Sequence, residues 1–151
     1  MLDFWVLRNN LDKAKKQFQQ VIPMLDCFES KFGPYPFYSD GYKLVETPYL
    51  GMEHQSAIAY GNKYLKGYSG NTQMTHGYEF DYIIVHESGH EWFGNNISCK
   101  DIADMWIHEA FTTYSESVFV ECYHGKQAGI DYVNSNIKRV RNKEPDRKSV
   151  V

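Results

Sequence analysis

The sequence has few cysteines, no long apolar run and no excess of positive charge. Cys27, Cys99 and Cys122 are odd in number and show no Cys-x-x-Cys spacing. They indicate neither a disulfide framework nor a thiolate zinc site, so we expect buried or unreactive thiols. The 16 basic and 19 acidic side chains give a net charge of −3, which offers no electrostatic basis for binding nucleic acid.

Two further absences concern the membrane. No stretch reaches the roughly 18 apolar residues of a spanning helix. The start, Met-Leu-Asp-Phe-Trp-Val, lacks the basic segment of a signal peptide, so any export signal of a parent protein is expected outside this chain. There is no repeat or low-complexity linker, and 151 residues with 42% hydrophobic content can bury a core. We therefore expect one domain over residues 1–151. Its localisation is unknown from the sequence.

The apolar pattern predicts an α+β domain, mainly helical with a small sheet. The first helix contains Pro23, which must kink or divide it. The glycine-rich segment Gly61–Gly77, ahead of the predicted helix within Phe80–Gly94, is expected to be a loop that borders a cleft. The predicted elements are a helix over Leu11–Phe32, strands over Tyr42–Thr47 and Met52–Tyr60, a loop over Gly61–Gly77, helices within Phe80–Gly94, over Asp101–Cys122 and from Lys126 to about Arg141, and a charged tail over Asn142–Lys148.

A His-Glu-x-x-His run, His86, Glu87 and His90, lies inside the apolar stretch 80–94. Residues four apart lie on one face of a helix, so both imidazoles can bind one ion, and Glu87 can point at any further ligand of that ion. The alternative is a buried helix whose histidines only bond to the backbone. Ionisable groups crowded on an apolar helix are costly to bury unless a metal binds them. The run therefore predicts a catalytic zinc site of a peptidase.

The next predicted helix supplies a third ligand. Asp101 is its expected N-cap, and Glu109 lies near a stripe expected to face the core, formed by Ile102, Met105, Trp106, Thr113 and Val120. A carboxylate on such a stripe needs a partner, and zinc held by two histidines lacks one protein ligand. Glu116, two turns further, is expected to accept the outer N–H of a zinc-bound imidazole. An ion pair at the surface or between helices is the alternative role for Glu116.

From residue 83 to residue 116 the chain resembles the zinc core of the M1 aminopeptidase family of gluzincins. The matching segments are His-Glu-Ser-Gly-His-Glu-Trp-Phe-Gly-Asn and Trp-Ile-His-Glu-Ala-Phe-Thr-Thr-Tyr-Ser-Glu. Upstream, Leu50-Gly51-Met52-Glu53-His54 is similar to the family's Gly-x-Met-Glu-Asn strand, with Leu50 and His54 as departures. The resemblance implies a thermolysin-like zincin domain with one Zn²⁺ on His86, His90 and Glu109, and with Glu87 as general base.

The same resemblance assigns substrate binding to Gly51, Met52 and Glu53, with the Glu53 carboxylate capturing the substrate's free α-amine. The departures at Leu50 and His54 put the hydrogen bonds between this strand and a substrate in question. The alternative for Glu53 is an exposed carboxylate on a strand, since the triplet alone is a weak pattern.

These residues predict a zinc metallopeptidase. Three protein ligands leave a zinc position for water, whose pKa falls towards about 7, and Glu87 can take its proton and return it to the departing amine. Glu53 favours an aminopeptidase acting on peptides with a free N-terminus, because a fixed anion near the metal selects an ammonium group. An endopeptidase with the same parts, or a catalytically silent interaction domain stabilised by zinc, are the alternatives.

The family resemblance also implies that the chain is part of a larger enzyme, with the other domains as its partners. In M1 enzymes a preceding β-domain helps to recognise the amine, and a tyrosine well downstream of the second zinc glutamate stabilises the oxyanion. Tyr114 and Tyr123 are poor substitutes, because one is rotated off the ligand face and the other lies about 21 Å along the helix. The isolated chain is expected to be weakly active or inactive.

Overall fold

The computed structural model describes residues 1–138 and 140, and in that part four strands form one sheet beside five α-helices. The elements are β1 (Leu2–Trp5), α1 (Leu11–Gln17), α2 (Val21–Phe32), β2 (Tyr42–Glu46), β3 (Gly51–Met52), β4 (Ile58–Tyr60), α3 (Tyr82–Gly89), α4 (Trp106–His124) and α5 (Lys126–Ile137). Short 3-10 turns precede α1, join α1 to α2 and precede α4. The expected α+β class, mainly helical with a small sheet, is confirmed.

The predicted helix over residues 11–32 is divided, but ahead of Pro23. A 3-10 turn over Phe18–Gln20 separates α1 from α2, and Pro23 lies in the first turn of α2. Proline is tolerated there because the first N–H groups of a helix have no partner within the helix. The inner face of the two helices is buried: Ala14, Phe18, Val21 and Phe28 are at most 3% exposed.

The sheet has the order β1-β2-β4-β3, with β1, β2 and β4 parallel and β3 antiparallel to β4. The expected single strand over Met52–Tyr60 is wrong. It consists of two short strands separated by a turn in which the Ala57 amide donates to the His54 carbonyl at 3.0 Å. Glu53 therefore follows the last residue of β3 and lies outside the sheet. The first strand, β1, is an additional element that the sequence pattern did not indicate.

Helix α3 is the most buried helix of the domain and packs against both α4 and β4. Its Ile83, Ile84 and Val85 are at most 2% exposed. At its end, a Cβ built on Gly89 would lie 2.4 Å from the Ser115 Oγ of α4, so α3 and α4 cross closely enough that any larger residue would force the Ser115 side chain to move. This close crossing brings the α3 histidines near the first turns of α4.

A disulfide between Cys27 and Cys122 joins α2 to α4, with Cα atoms 6.1 Å apart. The expectation of free thiols is therefore wrong for these two residues, and only Cys99 is a free thiol. Spacing along the chain did not indicate the bond, because the two cysteines are 95 residues apart and meet only through the packing of the helices.

Helix α4 begins later than predicted. Asp101 does cap a turn, accepting from the Ala103 amide at 2.8 Å, but that turn is the 3-10 segment Ile102–Asp104. Ile102, Met105 and Trp106, expected on an inward stripe, are 83%, 51% and 63% exposed. Of the same predicted stripe, Thr113 is partly buried and Val120 is fully buried, because the core does not extend under the first turn of α4.

The predicted last helix is present as α5. Its expected end at Arg141 and the tail Asn142–Lys148 lie outside the described residues. Within residues 1–138 and 140, no helix combines the length and apolar character needed to cross a membrane.

Candidate metal centre

The N-terminus of α3 is held by the buried carboxylate of Asp81. As the N-cap, Asp81 accepts from the backbone amides of Ile83 and Ile84 at 3.1 and 3.3 Å, which satisfies two N–H groups that have no partner within the helix. Further donors to the same carboxylate come from α1, β4 and the following loop: Gln17, Tyr60 and Asn62. The direction of α3, and with it the position of the histidines, is fixed by this network.

Three potential ligands meet at the other end of α3. His86 lies in the helix, His90 is its C-cap with helical backbone angles, and Glu109 lies in the first turn of α4. The Glu109 carboxylate oxygens are 3.3 Å from Nε2 of His86 and 3.5 Å from Nε2 of His90. Two nitrogens and one oxygen around a tetrahedral zinc, with bonds of about 2.0 to 2.1 Å, are separated by roughly 3.3 Å. Each imidazole nitrogen therefore lies close to this spacing from one Glu109 oxygen, and the ligand atoms of all three side chains lie within 4.8 Å of one another, which suits the set to a zinc ion.

Both imidazoles present Nε2 towards Glu109 because Nδ1 is engaged elsewhere. Nδ1 of His86 donates to Glu116 at 2.8 Å, and Nδ1 of His90 donates to the Phe93 carbonyl at 3.0 Å. The second oxygen of the Glu116 carboxylate accepts from the Tyr132 hydroxyl at 2.9 Å, and this glutamate is 2% exposed. Outer hydrogen bonds of this kind fix the tautomer and ring direction of metal-binding histidines.

The electrostatics favour a cation at this point. Burial lowers the pKa of His86, but hydrogen bonds to Glu109 and Glu116 outweigh burial and raise that pKa to about 10. The Glu109 carboxyl has a pKa below its usual range, chiefly through its hydrogen bond to His86. Burial and the neighbouring His86 lower the pKa of His90. The carboxylates thus stabilise positive charge between the two rings.

Glu109 differs in one respect from the expectation. Its side chain is 63% exposed, so it does not face the core. Because the first turn of α4 extends beyond the core, Glu109 approaches the histidines from the solvent side. Of the three potential ligands, Glu109 is therefore the one most exposed to solvent.

Glu87 is buried beside the two histidines. Burial raises its pKa to about 7, with further increases from Glu53 and Glu109 and an opposing effect of His86. A Cβ on Gly51 would lie 2.8 Å from Oε1 of Glu87, so the backbone of β3 passes directly over this carboxylate. A carboxyl with a pKa near 7 can both accept and donate a proton at neutral pH.

Glu53 lies on the same side of the centre. Polar atoms of Glu53, Glu87 and His90 are within 4.8 Å of one another. Of the other expected substrate residues, Gly51 is partly buried in β3 and Met52 is 43% exposed. Glu53, Glu87 and His90 form a second possible donor set, but it has one imidazole and two mutually repelling carboxylates. Zinc sites with two histidines and one glutamate are common in zinc enzymes, so the set with two histidines is the better match to zinc.

Sequence reasoning missed two side chains next to this site. Glu91 is fully buried directly after His90, and Asn95 bonds both to it and to the Glu53 backbone. The available signal was a carboxylate inside the apolar sequence His-Glu-Trp-Phe, where an unpaired charge would be costly.

The model of the peptidase family M1 domain matches residues 16–149 of the sequence. The chain belongs to peptidase family M1. Among curated proteins it is 24% identical to aminopeptidase N of Escherichia coli (strain K12) over 121 residues and 28% identical to aminopeptidase B of Homo sapiens over 109 residues. These alignments cover 78% and 70% of this chain, but only 14% and 15% of the two relatives.

Solved structures show the same relationship. The M1 zinc metallopeptidase from Deinococcus radiodurans superposes with a TM-score of 0.60 at 24% identity, covering 80% of this chain and 24% of that chain. A point mutant of the Deinococcus radiodurans enzyme, bound to a Tyr-Ser-Ala substrate, gives a TM-score of 0.58 at 25% identity, covering 77% and 23%. The fold of the described residues is thus that of a segment of M1 metallopeptidases.

Proposed function

We propose that the chain forms the zinc-binding, thermolysin-like catalytic part of an aminopeptidase. The observation that carries the proposal is the meeting of His86, His90 and Glu109, whose ligand atoms lie within 4.8 Å of one another, with the non-ligand Glu87 beside them. The relatives named above are aminopeptidases and zinc metallopeptidases, which supports the same conclusion.

His86, His90 and Glu109 would hold the zinc, and Glu116 and the Phe93 carbonyl would keep the two rings in place. When bound, zinc supplies a water of lowered pKa and polarises the scissile carbonyl. Glu87, whose pKa is about 7, accepts the proton of the attacking water and donates it to the departing amine nitrogen. Its burial under the Gly51 backbone holds the carboxylate in place for both transfers.

Glu53 directs the chemistry to the end of a peptide. Its carboxylate lies close to Glu87 and His90, and a substrate α-ammonium bound there would place the first peptide bond beside Glu87. An endopeptidase would gain nothing from this anion. Peptides with a free N-terminus are therefore the proposed substrates, and further domains of the parent enzyme are the proposed partners.

The alternative of a silent, zinc-stabilised domain is less consistent with the geometry. A structural zinc has four protein ligands. In the part of the chain that the structure describes, the two-histidine set gains no fourth ligand from a histidine or cysteine. The exposed side of Glu109 also leaves room for a substrate.

The test measures zinc and amine binding separately. The purified chain should contain about one zinc, and His90→Ala should lose it, because two remaining ligands do not suffice. In the zinc-loaded chain, leucine hydroxamate should bind more tightly than its N-acetyl derivative, and Glu53→Gln should remove most of that preference by calorimetry. Zinc retained in His90→Ala would contradict the metal assignment. An unchanged preference in Glu53→Gln would contradict the aminopeptidase assignment.

A further inference from the structure

Glu91 is a fully buried carboxylate that takes no part in the proposed chemistry. Among the described residues no lysine, arginine or histidine forms an ion pair with it. Its oxygens instead accept from the Ser56 amide at 3.1 Å, from Asn95 Nδ2 at 2.8 Å and from the Tyr35 hydroxyl. A buried carboxylate without donors would be costly, and these three donors offset that cost.

Two of these three donors connect Glu91 to the segment 53–56 that carries Glu53. The Nδ2 amide of Asn95 donates both to Glu91 and to the Glu53 carbonyl, each at 2.8 Å. Ser56, at the other end of the segment, has a φ of 57°, which is unfavourable for a residue with a Cβ. The bond from its amide to Glu91 stabilises that conformation. Glu91 therefore holds the Ser56 end of the segment directly and the Glu53 end through Asn95.

The same pair of residues is tied to the metal centre. Glu91 directly follows His90, and the backbone N–H of Asn95 donates to the His90 carbonyl at 3.0 Å. The sheet contributes less, because the pairing of β3 with β4 involves Gly51 and Met52 and ends before Glu53. Asn95 thus links a proposed zinc ligand to the Glu53 backbone through two hydrogen bonds, and Glu91 holds the Asn95 side chain in place.

We propose that Glu91 and Asn95 are positioning residues that set the distance between the Glu53 carboxylate and the zinc. They thereby set the preference for ligands with a free α-amine. The inference rests on the proposed function, because it assumes that Glu53 binds the amine. It predicts that Asn95→Ala weakens amine recognition although Asn95 touches neither ligand nor zinc.

The experiment compares leucine hydroxamate with N-acetyl-leucine hydroxamate on the zinc-loaded chain, by calorimetry. Asn95→Ala should reduce the ratio of the two affinities roughly tenfold, because a displaced Glu53 carboxylate would keep only part of its charge-assisted hydrogen bond to the ammonium. Tyr35→Phe is the matched control. It removes another hydrogen bond to the same Glu91 carboxylate but leaves the links to Ser56 and Asn95, so it should lower stability similarly while keeping the wild-type ratio.

Each outcome is decisive. A wild-type ratio in Asn95→Ala overturns the inference, and so does an equal fall in Tyr35→Phe, which would indicate a general loss of structure. If Glu53→Gln abolishes the preference and Asn95→Ala does not, this inference fails while the proposed function stands. If Glu53→Gln has no effect, both fail. Should Asn95→Ala not fold, Glu91→Gln, which keeps the shape but places an amide against Asn95, must show the same fall in the ratio.

Discussion

The disulfide between Cys27 and Cys122 should make a large contribution to stability. It closes a loop of 95 residues, and in the chain-entropy model a cross-link over a loop of this length destabilises the unfolded chain by about 4.7 kcal/mol. Small domains are stable by roughly 5–15 kcal/mol in total. The double variant Cys27→Ala, Cys122→Ala should therefore lose a third or more of its free energy of unfolding.

Urea unfolding followed by tryptophan fluorescence measures this loss. The wild-type chain should unfold at lower urea when dithiothreitol is present, whereas the double variant should be insensitive to the reductant. Cys99→Ala controls for the removal of a thiol without a cross-link, because Cys99 is free, and it should keep the response of the wild type. Identical wild-type midpoints with and without reductant would refute the reasoning.

Three further predictions concern the site. Glu87→Gln should keep its zinc by elemental analysis yet lose most of any hydrolysis of aminoacyl amides, because the general base is removed; zinc lost together with activity would make Glu87 a ligand. Glu116→Gln should weaken zinc binding about 10- to 100-fold in a competition with a chelator, because the bond from Glu116 to His86 orients the imidazole. An unchanged affinity would show that this bond does not support metal binding. Gly89→Ala should lower the free energy of unfolding by about 1–3 kcal/mol in thermal unfolding, because the new methyl group meets Ser115 Oγ at 2.4 Å. Adding Ser115→Ala should restore part of that stability. No restoration would count against the close crossing of α3 and α4.

Local periodicity was enough to predict the helices that carry the site. The spacing of His86, Glu87 and His90 places them around one turn, and the structure has them at the end of α3. The interval from Glu109 to Glu116 also follows from helical geometry, and both glutamates lie beside His86. The roles of these residues stay predictions, but their proximity could be inferred because each relation is confined to one helix or to neighbouring ones.

Relations between distant residues could not be inferred in this way. Strand β1 has four residues and pairs in parallel with β2, 40 positions later, so no local pattern marks it. The pairing of Cys27 with Cys122 depends on how α2 packs against α4. The exposure of Glu109 depends on where the core ends beneath α4, and a helical period defines a face but not the extent of the surface that covers it.

Helix α4 carries two carboxylates that meet opposite sides of the same imidazole, Glu109 at Nε2 and Glu116 at Nδ1 of His86. Seven residues separate them, which is close to two turns and about 10.5 Å of helix. Inserting or deleting one residue inside this interval would rotate one carboxylate by about 100° relative to the other, so the two could not contact His86 together. We therefore expect that the spacing from Glu109 to Glu116 tolerates neither an insertion nor a deletion.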